Sequence, residues 1–360
     1  MAGETADQHP GKAPRRVRSI READVDGQAV LVRADLNVPL QDGTVADDAR
    51  IRASLPTLEL LRDRGARSIT VCSHLGRPDG TDPALSLAPV RARLRELFEG
   101  PLTVLENTRF DPGETANDAA TAARLAAGQD LFVEDAFGSA HRAHASTVGV
   151  AHLLPTYAGL LLAAELEHLE RLLDAPARPF ALVCGGAKVD DKLGVLAHLG
   201  GLADIVVVGG KLAEQLRVAD ALEFPIELPT DVVAAVDPEA DAAVLPSDSV
   251  PHGWQVYDIG PRTAEHFAEL LGSAETIFWN GPLGMFESPR FATGTRTVAE
   301  AIAGSGAYSV VGGGDTVRAL DELGLAGSVS WVSTGGGAAL ELLEGRELPG
   351  VAVIPTTSRS

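Results

Sequence analysis

AVLVRADLNVP, residues 29–39, is almost unbroken in its apolar character until it ends at Asp35 and Asn37. A strand with water on one face alternates polar and apolar side chains. A continuous Val/Leu run that stops at polar residues therefore predicts a strand buried on both faces, as in a parallel sheet. Six more runs have this form: SITVCSH (68–74), LFVEDAF (131–137), FALVCGG (180–186), DIVVVGG (204–210), TIFWNGP (276–282) and YSVVGGGD (308–315). Helical patterns lie between them. Ile51, Leu55, Leu58 and Leu61 recur at helical spacing, with Pro56 early enough to belong to a first turn or to bend the helix, and residues 157–173 (YAGLLLAAELEHLERLL) form the longest such pattern. The prolines of DAPARP stop that helix before the next strand, where a domain boundary is expected. The fold class is therefore α/β with doubly wound parallel sheets. At 360 residues the chain exceeds what one core usually organises, which predicts two domains.

Fifty acidic residues against 30 basic ones leave a net charge of −20, which argues against nucleic acid or an anionic membrane as the main partner. Any anionic ligand must find a locally basic cleft. The two cysteines, Cys72 and Cys184, each fall inside an apolar run, so neither a disulfide framework nor a Cys-rich zinc site is expected, and a reducing cytoplasm is the predicted setting. The first eighteen residues are polar with scattered basic positions, which predicts a flexible arm rather than a signal peptide or anchor. No later stretch approaches the apolar length of a bilayer span.

Open parallel sheets place ligands at the carboxyl ends of their strands. In the first half those ends deliver Asp35 and Asn37, Arg50 near a helix start, His74 and Arg77, Arg109, and then His141, Arg142 and His144. A single arginine after a strand is ordinarily a solvated charge. Several arginines and imidazoles on separate loops make a cradle for phosphate and carboxylate, because the guanidinium fork matches those planar anions with paired hydrogen bonds. His141 and His144 lack a carboxylate or thiol partner at ligand spacing, so zinc is not expected there. Asp135 is expected to cap or brace its loop rather than to act as a base.

The second half carries GGAKVDDK (185–192), GG (209–210), WNGPLGMFE (279–287), VGGGDT (311–316) and STGGGA (333–338). Glycines at strand ends let backbone N–H groups approach a phosphate, and helices starting just beyond add a favourable dipole. Lys188, Lys192 and Asp315 beside them strengthen the reading as a nucleotide site. Neither the P-loop pattern nor the dinucleotide fingerprint is present.

Taken in order, DLNVP, DDARI, SHLGRP, ENTRF, DAFGSAHRAHASTVG, GGAKVDDK, WNGPLGMFE, VGGGDT and STGGGAALELLEG resemble phosphoglycerate kinase over about residues 29 to 352. The resemblance implies two Rossmann-like domains joined by a hinge helix: an arm at 1–18, a phosphoglycerate-binding domain at 19–164, an interdomain helix and linker at 165–178, a nucleotide-binding domain at 179–345, and a tail at 346–360 packing back on the first domain. It implies a cytoplasmic monomer that transfers a phosphoryl group between Mg-ATP and the carboxylate of 3-phosphoglycerate. By position it puts the triose site on Asp35, Asn37, Arg50, His74, Arg77, Arg109 and Arg142. The nucleotide site falls on Gly185, Gly186, Lys192, Gly209, Asn280, Gly281, Glu287, Gly313, Gly314, Asp315 and Thr316, with Mg²⁺ at Asp315. Arg50, Lys188, Gly336 and Gly337 would flank the phosphoryl group in flight.

Two departures from the family pattern are visible. The stretch RELFEGPLTV between SHLGRP and LENTRF implies a trimmed first domain. GGKLAEQLRVADALEFPIELPTD is short where an adenine-binding wall should stand, with Lys211 in the place of a third glycine. That predicts weak nucleotide binding with poor discrimination between bases, unless Leu212 and Phe224 rebuild the wall. The alternative reading is a non-catalytic or altered-specificity relative that binds a phosphorylated acid and uses nucleotide poorly. An NAD-linked dehydrogenase is disfavoured by the missing fingerprint.

Overall fold

The computed structural model describes residues 16–187, 190–217 and 222–357. Strands β1 (Ala29–Arg33), β2 (Ser68–Cys72), β3 (Leu102–Val104), β4 (Leu131–Glu134) and β5 (Thr156–Ala158) form a parallel sheet in the order β3-β2-β1-β4-β5. Helices α1 (Ala49–Asp63), α2 (Ala88–Leu97) and α3 (Ala119–Ala126) connect them. Every side chain of β1 and β4 is buried, Arg33 and Glu134 included, as expected for central parallel strands. The strand order reverses between β1 and β4, so the loops leaving these two strands diverge and open a crevice at their carboxyl ends.

A long helix, α4 (Leu160–Asp174), leads to the second unit. There β6 (Phe180–Cys184) and β7 (Ile205–Val208) are followed by a small antiparallel sheet of β8 (Asp231–Ala235), β9 (Ala243–Pro246) and β10 (Gln255–Ile259). Strands β11 (Thr276–Asn280), β12 (Tyr308–Gly312) and β13 (Trp331–Val332) complete a second parallel sheet in the order β13-β12-β11-β6-β7. Its reversal falls between β6 and β11, which places a second crevice at the carboxyl ends of these strands, beside Gly186 and Gly281. Helices α5 (Asp190–Gly200), α6 (Gly210–Leu216), α7 (Pro261–Leu271), α8 (Thr293–Gly304), α9 (Gly314–Glu322) and α10 (Gly337–Leu343) surround the two sheets of this unit. The last helix, α11 (Pro349–Ala352), brings the chain back to the first unit, where Gly350 N–H donates to the Ala140 carbonyl and Arg18 N–H to that of Pro355. Among the described residues no helix is long and apolar enough to cross a membrane. Cys72 and Cys184 are free and buried at the ends of β2 and β6, and burial pushes both thiols up to about 12.

Local structure departs from the sequence expectation in three places. Tyr157 belongs to β5, paired with Val133, so the long helix starts three residues later than its pattern suggests. Pro56 sits in the middle of α1, whose packed face (Ile51, Leu58, Leu61) holds the helix together despite the N–H that proline lacks. The segment between SHLGRP and LENTRF carries both α2 and the edge strand β3, so the sheet keeps five strands.

Leu162, Leu166, Leu169 and Leu172 of α4 share one core with Phe137 and Ala140 of the first unit and Phe180 and Leu182 of the second. Each buried leucine contributes about 1.5–3 kcal/mol. The start of α4 is capped from outside: Asp135 Oδ1 accepts from the N–H groups of Leu161 at 2.9 Å and Leu162 at 3.2 Å. Gly159 is required beneath this contact, since a Cβ there would lie 2.1 Å from the same oxygen. Burial raises the Asp135 carboxyl from 3.8 to about 7, against the opposing pull of its hydrogen bonds. Its proton is thus held more tightly in the folded chain than in the unfolded one, and its contribution to stability falls as pH climbs from 3.8 towards 7. Asp135→Asn should flatten the pH dependence of the unfolding free energy across that window, and Asp135→Ala should cost about 1–2 kcal/mol through the lost cap, both read from urea melts at several pH values.

Candidate active site

The loops leaving β1, β2, β3 and β4 enclose a cavity of about 250 Å³. All seven residues of the expected triose site line it: Asp35, Asn37, Arg50, His74, Arg77, Arg109 and Arg142. Hydrogen bonds tie the loops together. Arg50 Nη1 donates to Asp35 Oδ2 at 3.0 Å, Asn37 Oδ1 accepts from Gly76 N–H at 2.9 Å, and Arg109 Nη1 donates to the Gly76 carbonyl at 2.5 Å. Asn107 accepts from Leu75 N–H and Arg109 N–H and donates to the Leu75 carbonyl, which fixes where Arg109 leaves its loop.

The charges in this cavity are unbalanced. Four arginines face one carboxylate, Asp35, which is already engaged by Arg50. Burial, then repulsion from Arg142 and Arg33, lowers the Arg109 guanidinium to about 10, and its Nε is buried with no hydrogen-bond partner. Like charges held together with unpartnered donors have a strong physical demand for an anion.

Arg33 is the residue that sequence reasoning missed here. Fully buried in β1, it donates from Nε to Ser146 Oγ at 2.9 Å and from Nη2 to His74 Nδ1 at 2.9 Å. Arginine can only donate, so His74 Nδ1 is the acceptor and its proton sits on Nε2. Burial and then Arg33 hold His74 far below the usual imidazole range, so it is neutral. Ser146 donates onward to Glu114 Oε1 at 2.6 Å, and His144 Nδ1 lies 3.7 Å from the same oxygen. His144 therefore belongs to this buried network, whereas His141 lines the cavity. The sequence signal for Arg33 was a charged residue inside an apolar run.

At the second sheet's reversal a cavity of about 590 Å³ is lined by Gly186, Lys192, Asn280, Gly281, Gly313, Gly314, Asp315, Thr316, Gly336 and Gly337. Lys192 Nζ donates to Asn280 Oδ1 at 2.7 Å, and Thr316 Oγ1 accepts from Gly281 N–H at 2.7 Å. Gly185 and Gly209 do not line it. They are glycines for packing: a Cβ would meet the Pro282 carbonyl at 2.3 Å in one case and Leu283 at 2.7 Å in the other. Lys188 lies outside the described residues.

A third cavity of about 290 Å³ adjoins the second through Gly186, Ala187 and Asp315, and holds Glu287. Its walls are Val256 and Tyr257 of β10 with Pro282, Met285 and Phe286, an apolar slot of the kind a flat base needs. The short segment after β7 therefore does not leave the slot without a wall. Leu212 and Phe224 do not supply it either, since Leu212 is fully buried in the core and Phe224 packs on Gly200.

Gly336 and Gly337 line both the basic cavity and the glycine-rich one. Gly336 has φ +51°, which side chains rarely adopt, and a Cβ on Gly335 would lie 2.4 Å from Phe137. The loop is anchored by Glu165 of α4, a buried carboxylate that accepts from Thr334 N–H at 2.6 Å, Thr334 Oγ1 at 2.8 Å and Trp331 Nε1 at 3.1 Å. Glu165 also escaped the sequence reading, although an acid between Leu162 and Leu166 on a helix's apolar stripe was its signal.

Two parallel α/β units, one ending in a basic anion cradle and the other in a glycine-rich crevice beside a flat apolar slot, define a two-lobed kinase. Comparison with known proteins narrows the class. The phosphoglycerate kinase family profile matches residues 20–104, 96–224 and 214–346. Phosphoglycerate kinase of Rubrobacter xylanophilus is 48% identical, covering 94% of this chain and 98% of that protein, and the Thermomicrobium roseum protein of the same name is 46% identical with the same coverage of this chain and 99% of its own. The first of these alignments runs over 385 positions against 360 residues here, so this chain is shorter at internal positions. The solved phosphoglycerate kinase of Coxiella burnetii superposes with a TM-score of 0.86 at 37% identity, over 94% of this chain and 98% of that one. The enzyme from Pyrococcus horikoshii gives 0.81 at 30% with the same coverage. The chain belongs to the phosphoglycerate kinase family.

Removing Arg33 leaves Ser146 and His74 without their buried donor and Glu134 without the cation that draws its carboxyl down. Arg33→Met should destabilise the fold by about 3–5 kcal/mol in urea melts, and Arg33→Lys, which keeps the charge and loses the fork, should fall between it and wild type.

Proposed function

We propose that the chain transfers the terminal phosphoryl group of Mg-ATP to the carboxylate of 3-phosphoglycerate, reversibly, giving 1,3-bisphosphoglycerate and ADP. The observation that carries this reading is the loop Gly336 and Gly337 share between two cavities of opposite character. An acid held by the arginines and a phosphate chain held by the glycines would meet at the same backbone N–H groups.

The acceptor needs no base, because a carboxylate with a pKa of roughly 4 is ionised at pH 7. Its oxygen attacks the terminal phosphorus, one P–O bond forms as the bond to ADP breaks, and no proton moves. What the protein must supply is alignment and charge for the three equatorial oxygens. In this reading Arg77, Arg109, Arg142, His74 and Asn37 hold the phosphorylated acid, and Asp35 orients Arg50. Arg50, Lys188 and the Gly336 and Gly337 N–H groups face the moving phosphoryl group. Gly186, Lys192, Asn280, Gly281, Gly313, Gly314 and Thr316 hold the phosphates, with Gly185 and Gly209 shaping the backbone behind them, and Glu287 takes the ribose hydroxyls.

Asp315 suits a hard cation. It is exposed in the first turn of α9, lines both nucleotide cavities, and has no hydrogen-bond or ion-pair partner among the described residues. Together with the nucleotide phosphates it would hold Mg²⁺, which neutralises charge on those phosphates. The enzyme would act as a cytoplasmic monomer, without nucleic acid or membrane, and would close about α4 when both ligands are bound.

A coupled assay with 3-phosphoglycerate, Mg-ATP and a downstream dehydrogenase tests the activity directly, and its absence in wild type would reject it. Arg50→Ala should lower kcat by roughly 10²–10³-fold with a smaller change in KM. A several-fold rise in KM at unchanged kcat would make Arg50 an anchor only. X-ray scattering should give a smaller radius of gyration for the ternary complex than for the free protein, and an unchanged value would count against closure.

A further inference from the structure

Lysine is scarce in this chain. It occurs at 12, 188, 192 and 211, against 26 arginines, so surface cations are almost all guanidinium groups. Lys12 lies in the N-terminal arm. Of the other three, Lys192 lines the glycine-rich cavity, Lys211 lines the adjoining apolar slot, and Lys188 follows directly on Ala187, which borders both. A chain that writes its cations as arginine has put two of its four lysines, Lys192 and Lys211, on adjoining cavities.

The backbone explains how Lys211 reaches the slot. Gly210 has φ +62°, and a Cβ on it would lie 2.9 Å from Gly186 N, so the start of α6 is pressed against the strip that the two cavities share. Lys211 follows immediately and is exposed. The acid whose ionisation it does influence is Glu214, one helical turn on, and the carboxylates ion-paired among the described residues do not include it.

We propose that Lys211 is a nucleotide-binding residue of this chain: its stem covers a face of the base and its ammonium reaches the phosphate chain. This rests on the nucleotide reading above. An ammonium enclosed by Tyr257, Pro282, Met285 and Phe286 would lose its water with no acceptor in return, so the head belongs at the rim while the four-carbon stem lies along the apolar slot. The rim leads to the phosphates through Ala187 and Asp315. There a polyanion has to approach Asp315 and Glu341, while Glu287 is paired with Arg318, Glu344 with Arg346 at 3.0 Å, and Lys192 with Asn280. Lys211 at the rim would add a cation beside these carboxylates.

Calorimetry on the full chain separates stem from head. Lys211→Met keeps an apolar stem and should weaken Mg-ADP and Mg-GDP by the same factor, about tenfold, while leaving adenosine, measured by displacement, within about twofold. Lys211→Ala should weaken all three. 3-Phosphoglycerate, titrated on the same proteins, should bind each alike and so report an intact fold. Unchanged Mg-ADP affinity in Lys211→Met would overturn the proposal. So would unequal losses for Mg-ADP and Mg-GDP, which would put the ammonium on the edge of the base. Wild type that binds neither Mg-nucleotide would bring down the proposed function and this inference with it, whereas wild-type binding that the variants leave untouched would sink the inference alone.

Discussion

One buried carboxylate holds the two halves of this molecule in register. Glu165 sits on the apolar face of α4 and accepts three hydrogen bonds from the loop that leads into Gly336 and Gly337. A charge in that position is tolerated only because donors meet it, and each one removed leaves more of its desolvation cost uncompensated. The contact fixes a glycine loop, at a backbone angle side chains avoid, against the helix that joins the two sheets. Both cavities are built around that loop, so the position of each crevice relative to the other is set from α4.

The start of the same helix is held by a different acid on the first sheet. Asp135 caps α4 from the end of β4, while the leucines of α4 pack into a core shared by both units. Helix, strand end and loop therefore form one mechanical unit. A helix anchored by polar contacts at its start and along its length ties the two sheets together more firmly than an unanchored linker would.

The electrostatics of the basic cavity follow from a second constraint. A protein of net charge −20 repels its anionic ligands at long range, so local charge has to be dense. Dense positive charge must itself be held in place, and here the holders are buried and largely neutral or paired. Asn107 sets Arg109, Asp35 sets Arg50, and Arg33 sets the neutral ring of His74. Asn107 and Arg33 do this from behind the cavity, whereas Asp35 does it from the cavity wall itself.

Much of this was legible in the sequence. Unbroken Val/Leu runs announced buried parallel strands, because a parallel sheet flanked by helices hides both faces of its strands, and several of the polar residues that ended those runs, Asp35, Asn37, His74, Asn280 and Asp315 among them, turned out to line the cavities. Local pattern could not separate glycines that border a cavity from Gly185 and Gly209, which are glycine because another backbone or side chain presses on them. It also missed the slot formed by Tyr257, Met285 and Phe286, since its walls come from β10 and a loop some thirty residues later, with no periodic signal to link them. Arg33 and Glu165 read as interruptions in apolar stripes. Sequence determines which residues interrupt a stripe, but which group compensates a buried charge depends on partners that are distant in the chain, and only the tertiary fold brings those together.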